Sequence, residues 1–151
     1  MELDVVLEQA RTGLLDQAFA GLERAHTSHY EAAGETFTRQ RLSDLFDLVV
    51  AAIHDRDLAE MGAYAEQVAE QRFDSGFDVS EVQTAFNALE EAMWRHVVSV
   101  VPPDELVEAI GLLSTVLGYG KDALARRYVS LASRRHVPSL DLTALFAGTN
   151  S

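Results

Sequence analysis

Phe73-Asp74-Ser75-Gly76-Phe77-Asp78-Val79-Ser80-Glu81-Val82 is the stretch that decides the fold, because it marks the end of one helix and the start of the next. Gly76 suits the C-terminal end of a helix, where a left-handed backbone conformation is common. Asp78 suits the N-cap of the following helix, and Glu81 stands three residues later, as in a capping box. The stretch therefore predicts two consecutive helices joined by a tight turn.

Helical periodicity continues on both sides of this turn, and no alternating strand pattern occurs. Phe77 and Val82 occupy the two positions of a hydrophobic staple, which fixes how the chain enters the second helix. The predicted helical segments are Leu3 to Ala10 with a break near Thr12-Gly13, Leu14 to Tyr30 before Gly34, Leu42 to Ile53, a helix capped by Asp57, Val79 to Val97 ended by Pro102-Pro103, Asp104 to Pro138, and a short closing turn over Leu140 to Phe146. The pattern predicts an all-α fold of about five to seven helices, packed as an orthogonal bundle or in a globin-like arrangement.

Length and composition favour one globular domain spanning residues 1–151. They also limit the cellular compartments and the classes of partner to be expected. The chain has no cysteine, no apolar run near the roughly 20 residues that span a bilayer, and an acidic N-terminus unlike a signal peptide. We therefore expect a cytoplasmic location. The formal net charge of −12 argues against nucleic acid or an anionic membrane as the main partner, since both require a cationic surface.

The charge is distributed unevenly along the chain. Residues 1–120 carry a formal charge of −15, whereas residues 121–151 carry +3. A basic helix end is favourable next to its own dipole, which is one explanation of this excess. The other is a basic face, formed by Lys121, Arg126 and Arg127, that meets an acidic surface on a second copy or a protein partner.

Reactive groups do not form a recognisable catalytic motif, so we predict that the protein is not an enzyme. His26 and His29 share a helix face, but no second histidine-rich cluster completes a metal site. Gly118-Tyr119-Gly120-Lys121 lacks the preceding strand and the Ser or Thr of a phosphate-binding loop. We therefore expect no cofactor and no metal.

Phe86, Trp94 and Tyr128 are bulky side chains near the apolar stripes, and two interpretations of them remain open. They pack in the core with their polar atoms hydrogen-bonded, or they line a small apolar pocket between helices. The second interpretation would make the protein a carrier or sensor of a small ligand.

Part of the sequence resembles the N-terminal domain of RsbR-type proteins. The resemblance is carried by residues 65–86, which run from Ala65-Glu66-Gln67-Val68 through the central turn to Phe86, and by their continuation Glu91-Ala92-Met93-Trp94. These proteins are the co-antagonists of the stressosome. The resemblance covers most of residues 14–101, and it implies a globin-like fold without haem that is usually dimeric and transmits a signal to an output domain. The function it implies is that of a sensor or interaction module in bacterial stress signalling, with a homodimer and a STAS-type protein or a kinase as partners. The alternative is a small-ligand or tetrapyrrole-type binding protein that uses an interhelical pocket.

The sequence also predicts that the protein does not bind haem. The central turn is similar to a corner of haem-binding sensor globins in which a proximal histidine lies four residues before the glycine, and Arg72 occupies that position here. A guanidinium offers iron no lone pair. Haem titration followed by visible spectroscopy should give no sharp stoichiometric absorption band. Such a band, lost in His96→Ala or His54→Ala, would contradict the prediction.

Overall fold

The computed structural model describes residues 2–136, which form seven α-helices and no β-strand. The helices are α1 (Leu3–Gln9), α2 (Arg11–Arg24), α3 (Ser28–Ala33), α4 (Glu35–Asp55), α5 (Ala59–Asp74), α6 (Val79–Val100) and α7 (Pro103–His136). The prediction of an all-α bundle is thus confirmed. The predicted closing turn over Leu140 to Phe146 lies outside the described residues.

Two predicted helix boundaries near the N-terminus are wrong. The first break falls at Ala10 rather than at Thr12-Gly13, and α2 runs through Gly13. The second error is the continuous helix to Tyr30, because the chain leaves helical geometry after Arg24 and His26 adopts a φ of 52°. This interruption redirects the chain, so that α3 starts beside the N-terminus of α6.

The helices enclose one apolar core that extends from Leu3 to Tyr128. The most extensive packing is that of α5 against α7 and of α2 against α6, and α6 and α7 also pack against each other. Helix α7 stays helical through Gly118 and Gly120. A Cβ atom added at Gly120 would lie 2.9 Å from Met61 Sδ and 3.1 Å from Phe86 Cε2, so this glycine permits the close approach of α7 to the core.

Glu81 is the polar group that joins two helix N-termini. The capping box of Asp78 and Glu81 is present, and the backbone N–H of Asp78 donates to Glu81 Oε2 at 3.1 Å. Glu81 Oε1 also accepts from the backbone N–H of His29 at 3.1 Å and from Ser28 Oγ at 3.3 Å, at the first turn of α3. The His29 ring completes the arrangement, with Nδ1 2.7 Å from Glu81 Oε2.

Hydrogen bonds stabilise the ionised form of the buried Glu81 carboxyl group. Burial alone would raise the pKa of this carboxyl group, but the N–H groups of His29 and Asp78 and the His29 ring together hold the pKa below its ordinary value. A carboxylate with a depressed pKa in the folded state adds stability above its unfolded-state pKa. That contribution is lost as the pH falls through the folded-state pKa.

We predict that Glu81→Ala lowers the free energy of unfolding by about 2–3 kcal/mol, because it leaves the backbone N–H groups of His29 and Asp78 without their charged acceptor. Asp78→Ala removes only a cap at an exposed residue and should cost about 0.5–2 kcal/mol. Urea unfolding of both variants at pH 7 measures the difference, and the deficit of Glu81→Ala should shrink as the pH is lowered below about 4.5. Equal stability of Glu81→Ala and the wild type at pH 7 would contradict this account of the junction.

Candidate functional site

The three residues predicted to line an apolar pocket do not come together in one cavity. Phe86 is buried and faces Gly120, whereas Tyr128 lies eight residues further along α7, about 12 Å away along the helix axis. The Tyr128 hydroxyl donates to the carbonyl oxygen of Phe77 at 3.2 Å, and its ring packs edge-on against Phe73. Trp94 lies on the outside of α6, and its side chain is 45 % exposed.

A cavity beside Phe86 has a volume of about 20 Å³, room for a single water-sized occupant. Drug-sized ligands occupy pockets of roughly 300–1,000 Å³, and a tetrapyrrole is larger than most drug-sized ligands. A second, larger depression of about 420 Å³ lies between α2 and α6 and is lined by charged and small side chains such as Arg24, Glu91, Arg95 and Ala88. The geometry around Phe86 and Tyr128 is therefore that of a packed core.

The basic residues proposed as an interface are mostly engaged inside the protomer. Lys121 Nζ donates to Asn87 Oδ1 at 3.0 Å and to Glu90 Oε1 at 2.7 Å, which ties α7 to α6. Arg127 pairs with Glu70 and ties α7 to α5. Arg126 differs, because its side chain is 80 % exposed and its ion-pair partner, Asp122, belongs to the same exposed helix face.

The exposed apolar residues indicate a different surface. On α6, Trp94 and Val98 are exposed, and they follow Asn87 and Glu90 at helical spacing. Because Lys121 contacts Asn87 and Glu90, this side of α6 is the one adjoining α7.

The adjoining side of α7 carries small and apolar residues. Counting at 100° per residue, the positions that flank Lys121 on its solvent side are Val107, Gly111, Ser114, Gly118, Ala125 and Val129. Val107 and Val129 are exposed, and a Cβ atom added at Gly111 or Gly118 would meet no atom of residues 2–136 within 4 Å. We call these six residues together with Trp94 and Val98 the α6/α7 face.

Sequence reasoning missed the α6/α7 face, although the signal was present. Phe86 and Met93 lie on the buried stripe of α6, and Trp94 lies about 100° away from Met93 around the helix axis. The amphipathic character of the tryptophan suggested a pocket wall, but its angular position already indicated an outer face.

Residues 2–136 contain neither a cluster of metal-binding side chains nor a helix that could span a membrane. His29 is held by Glu81, and His26 faces Glu31. No group of three or more His, Cys, Asp or Glu side chains within this part of the chain is placed to hold a metal ion. None of its helices is both long and apolar enough to cross a bilayer.

Comparison with known proteins gave a match to one protein family. The model of the RsbT co-antagonist protein rsbRD N-terminal domain matches residues 6–144. No curated protein and no solved structure matched the chain.

We predict that Lys121→Met lowers the free energy of unfolding by about 1 kcal/mol, since it removes a half-buried charged hydrogen bond between α6 and α7. The control is Arg126→Met on the same helix, which should change stability by less than about 0.5 kcal/mol because that ion pair is exposed. Urea unfolding at constant salt measures both. Equal effects of the two substitutions would show that Lys121 does not brace the protomer.

Proposed function

The chain belongs to the family of RsbT co-antagonist protein rsbRD N-terminal domains, a stress-signalling family, and from this premise we propose that it is a cytoplasmic regulatory module that acts through homodimerisation and partner binding. The homodimer uses the α6/α7 face, and a STAS-type protein or a kinase is the partner. The module has a non-haem, globin-like core and acts as a sensor or interaction domain rather than as an enzyme. The observation that carries the proposal is the exposed apolar surface on its two longest helices.

The chemistry of the α6/α7 face suits a helix-on-helix contact. Trp94 is the chain's one tryptophan and lies 45 % exposed, and aromatic anchors of this kind dominate the binding energy of many interfaces. Val107 is 84 % exposed, although valine is usually buried. Gly111 and Gly118 leave room for a neighbouring backbone to come close. Two such faces related by a twofold axis would form a four-helix contact with Trp94 of each protomer over the small residues of the other.

The pairing of the basic residues within the protomer supports apolar packing as the main source of affinity in the dimer. Lys121 and Arg127 already pair within the protomer, so of the three basic residues only Arg126 presents an exposed cation. An exposed ion pair contributes about 0–1 kcal/mol. The dimer should accordingly depend weakly on salt.

Helix α7 is the element that connects the dimer contact to an output. Tyr128 is the last buried side chain among the described residues of α7, and the helix continues to His136. Leu131 and Ala132 are still half-buried, whereas Ser133 and Arg134 are exposed, so α7 runs out of the core after Ala132. A change in the α6/α7 contact would therefore alter the direction in which α7 leaves the domain.

The dimer proposal predicts that Gly111→Arg gives a folded monomer. A Cβ atom at residue 111 meets no atom of the described residues within 4 Å, but a longer side chain there would occupy the space that a second α7 requires. The matched control is Gly13→Arg, because Gly13 is also an exposed glycine within a helix and has no atom within 4 Å of an added Cβ. Light scattering at micromolar concentration should give twice the 16.6-kDa protomer mass for the wild type and for Gly13→Arg, and the protomer mass for Gly111→Arg.

Trp94 provides an independent measurement of the same contact. Its fluorescence emission should shift to longer wavelength in Gly111→Arg, because the indole loses its apolar cover when the dimer separates, and should not shift in Gly13→Arg. A wild type that is monomeric at micromolar concentration, or a Gly111→Arg variant that remains dimeric, would refute the α6/α7 interface.

A further inference from the structure

The depression of about 420 Å³ between α2 and α6 is a surface that the proposed dimer does not use. The two helices approach closely there, because a Cβ atom added at Gly21 of α2 would lie 3.7 Å from Ala88 Cβ of α6. Ala20 and the buried Ala92 line the depression as well. Its volume lies within the roughly 300–1,000 Å³ of small-molecule sites. The depression therefore has room for a small molecule and a partly apolar lining of alanines to receive it.

Arg24 folds back along α2 towards this lining. Its Nη2 atom lies 3.6 Å from the Cβ position of Gly21. The guanidinium makes no ion pair and no hydrogen bond within the described part of the chain. The chain has 24 acidic and 12 basic residues, and Arg11, Arg39 and Arg127 each pair with a carboxylate on another helix. Arg24 is thus a cation that reaches the depression and has all of its N–H donors available.

Helix α6 provides two further nitrogen-bearing side chains to the same depression, Arg95 and His96. Arg95 Nη2 donates to Glu91 Oε1 at 2.7 Å, which leaves the other guanidinium N–H groups available to a second acceptor. The half-buried His96 ring has no hydrogen-bond partner in the part of the chain that the structure describes. Glu91 carries the one carboxylate among the described residues of the lining. Two guanidiniums therefore face one carboxylate here, in a chain whose formal net charge is −12.

The charge and the shape of the depression together define the chemistry of a ligand. A guanidinium presents its N–H groups as a planar fork that matches the oxygens of a carboxylate or a phosphate. A neutral ligand would leave Arg24 unpaired, and an inorganic anion would leave the alanines uncovered. An anion that carries a compact apolar body would satisfy both parts of the lining.

We propose that this depression binds a small organic oxyanion, a carboxylate or a phosphate ester. The charged group of the ligand binds the guanidiniums of Arg24 and Arg95, and its apolar body lies against the alanines of α2 and α6. Glu91 limits the affinity, because its carboxylate occupies one nitrogen of Arg95 and repels an anion. The site shares no residue with the α6/α7 face, so the inference does not rest on the proposed dimer.

The test is equilibrium dialysis of the full chain at low ionic strength against phenyl phosphate, benzoate and inorganic phosphate. We expect one molecule of phenyl phosphate or benzoate per protomer, and the tighter of these two probes identifies the anionic group. Inorganic phosphate should bind at least about tenfold more weakly than the tighter probe, because it buries no apolar surface. Absence of binding by both aromatic probes would overturn the proposal, as would inorganic phosphate that binds as tightly as the better of them.

Three substitutions locate the binding in the depression. Arg24→Gln should weaken the binding of the tighter probe by at least about tenfold, because it removes charged hydrogen bonds. Arg126→Gln is the control, since it removes an exposed arginine of α7 and should leave the affinity unchanged. Glu91→Gln should strengthen binding, because it releases Arg95 and removes the repelling charge.

All three substitutions change exposed side chains, so we expect each variant to fold. An affinity that is unchanged in Arg24→Gln, or that falls equally in Arg24→Gln and Arg126→Gln, would overturn the proposal. Weaker binding in Glu91→Gln would also overturn it, because that carboxylate would then support the ligand rather than oppose it.

Discussion

The hydrogen bonds of the Glu81 carboxylate are the constraint on which the N-terminal half of the fold depends. Its two oxygens bind the first turns of α3 and α6, which are 52 residues apart in sequence at His29 and Glu81. A helix N-terminus presents unpaired N–H groups and partial positive charge, and one carboxylate here serves two such ends. The position of α3 in turn places Tyr30 over Phe77, with ring centres 4.8 Å apart. The hydrogen bonds of Glu81 thus help to position the aromatic rings that surround Arg72, although these bonds lie outside that cluster of rings.

Local signals along the chain predicted much of this fold. Gly76 has a φ of 86°, as expected for the residue that ends α5, and the Asp78–Glu81 capping box stands at the start of α6. These features depend on residues within one or two turns of each other, so a sequence contains them directly. The left-handed conformation of His26 could not be predicted in this way, because it serves a contact between α3 and α6 that is distant in sequence.

Arg72 shows why the candidate sites were harder to predict than the helices. It follows Met61, Ala65 and Val68 at helical spacing, and this stripe is buried on α5. Periodicity thus placed Arg72 in the core, whereas its residue type favoured the surface. The sequence was sufficient to show that Arg72 cannot ligate haem iron, but only the tertiary packing shows that the rings of Phe37 and Tyr30 surround it. Sites of this kind arise from tertiary contacts, and no local motif marks them.

The glycines of α7 fall into two groups. One is explained by packing within the protomer, and the others would be explained by packing in an assembly. A glycine inside a helix costs about 1 kcal/mol relative to alanine, so each one requires a compensating reason. Gly120 has such a reason within the protomer, because Met61 and Phe86 occupy the space that a side chain would require. Gly111 and Gly118 have none among residues 2–136, since a Cβ atom at either position would meet no atom of this part of the chain within 4 Å. Helical spacing places both glycines on the proposed α6/α7 face, where a second helix backbone would make their lack of a side chain favourable. On the proposed dimer, a contact made outside the protomer would offset the destabilisation that these glycines bring to the isolated helix.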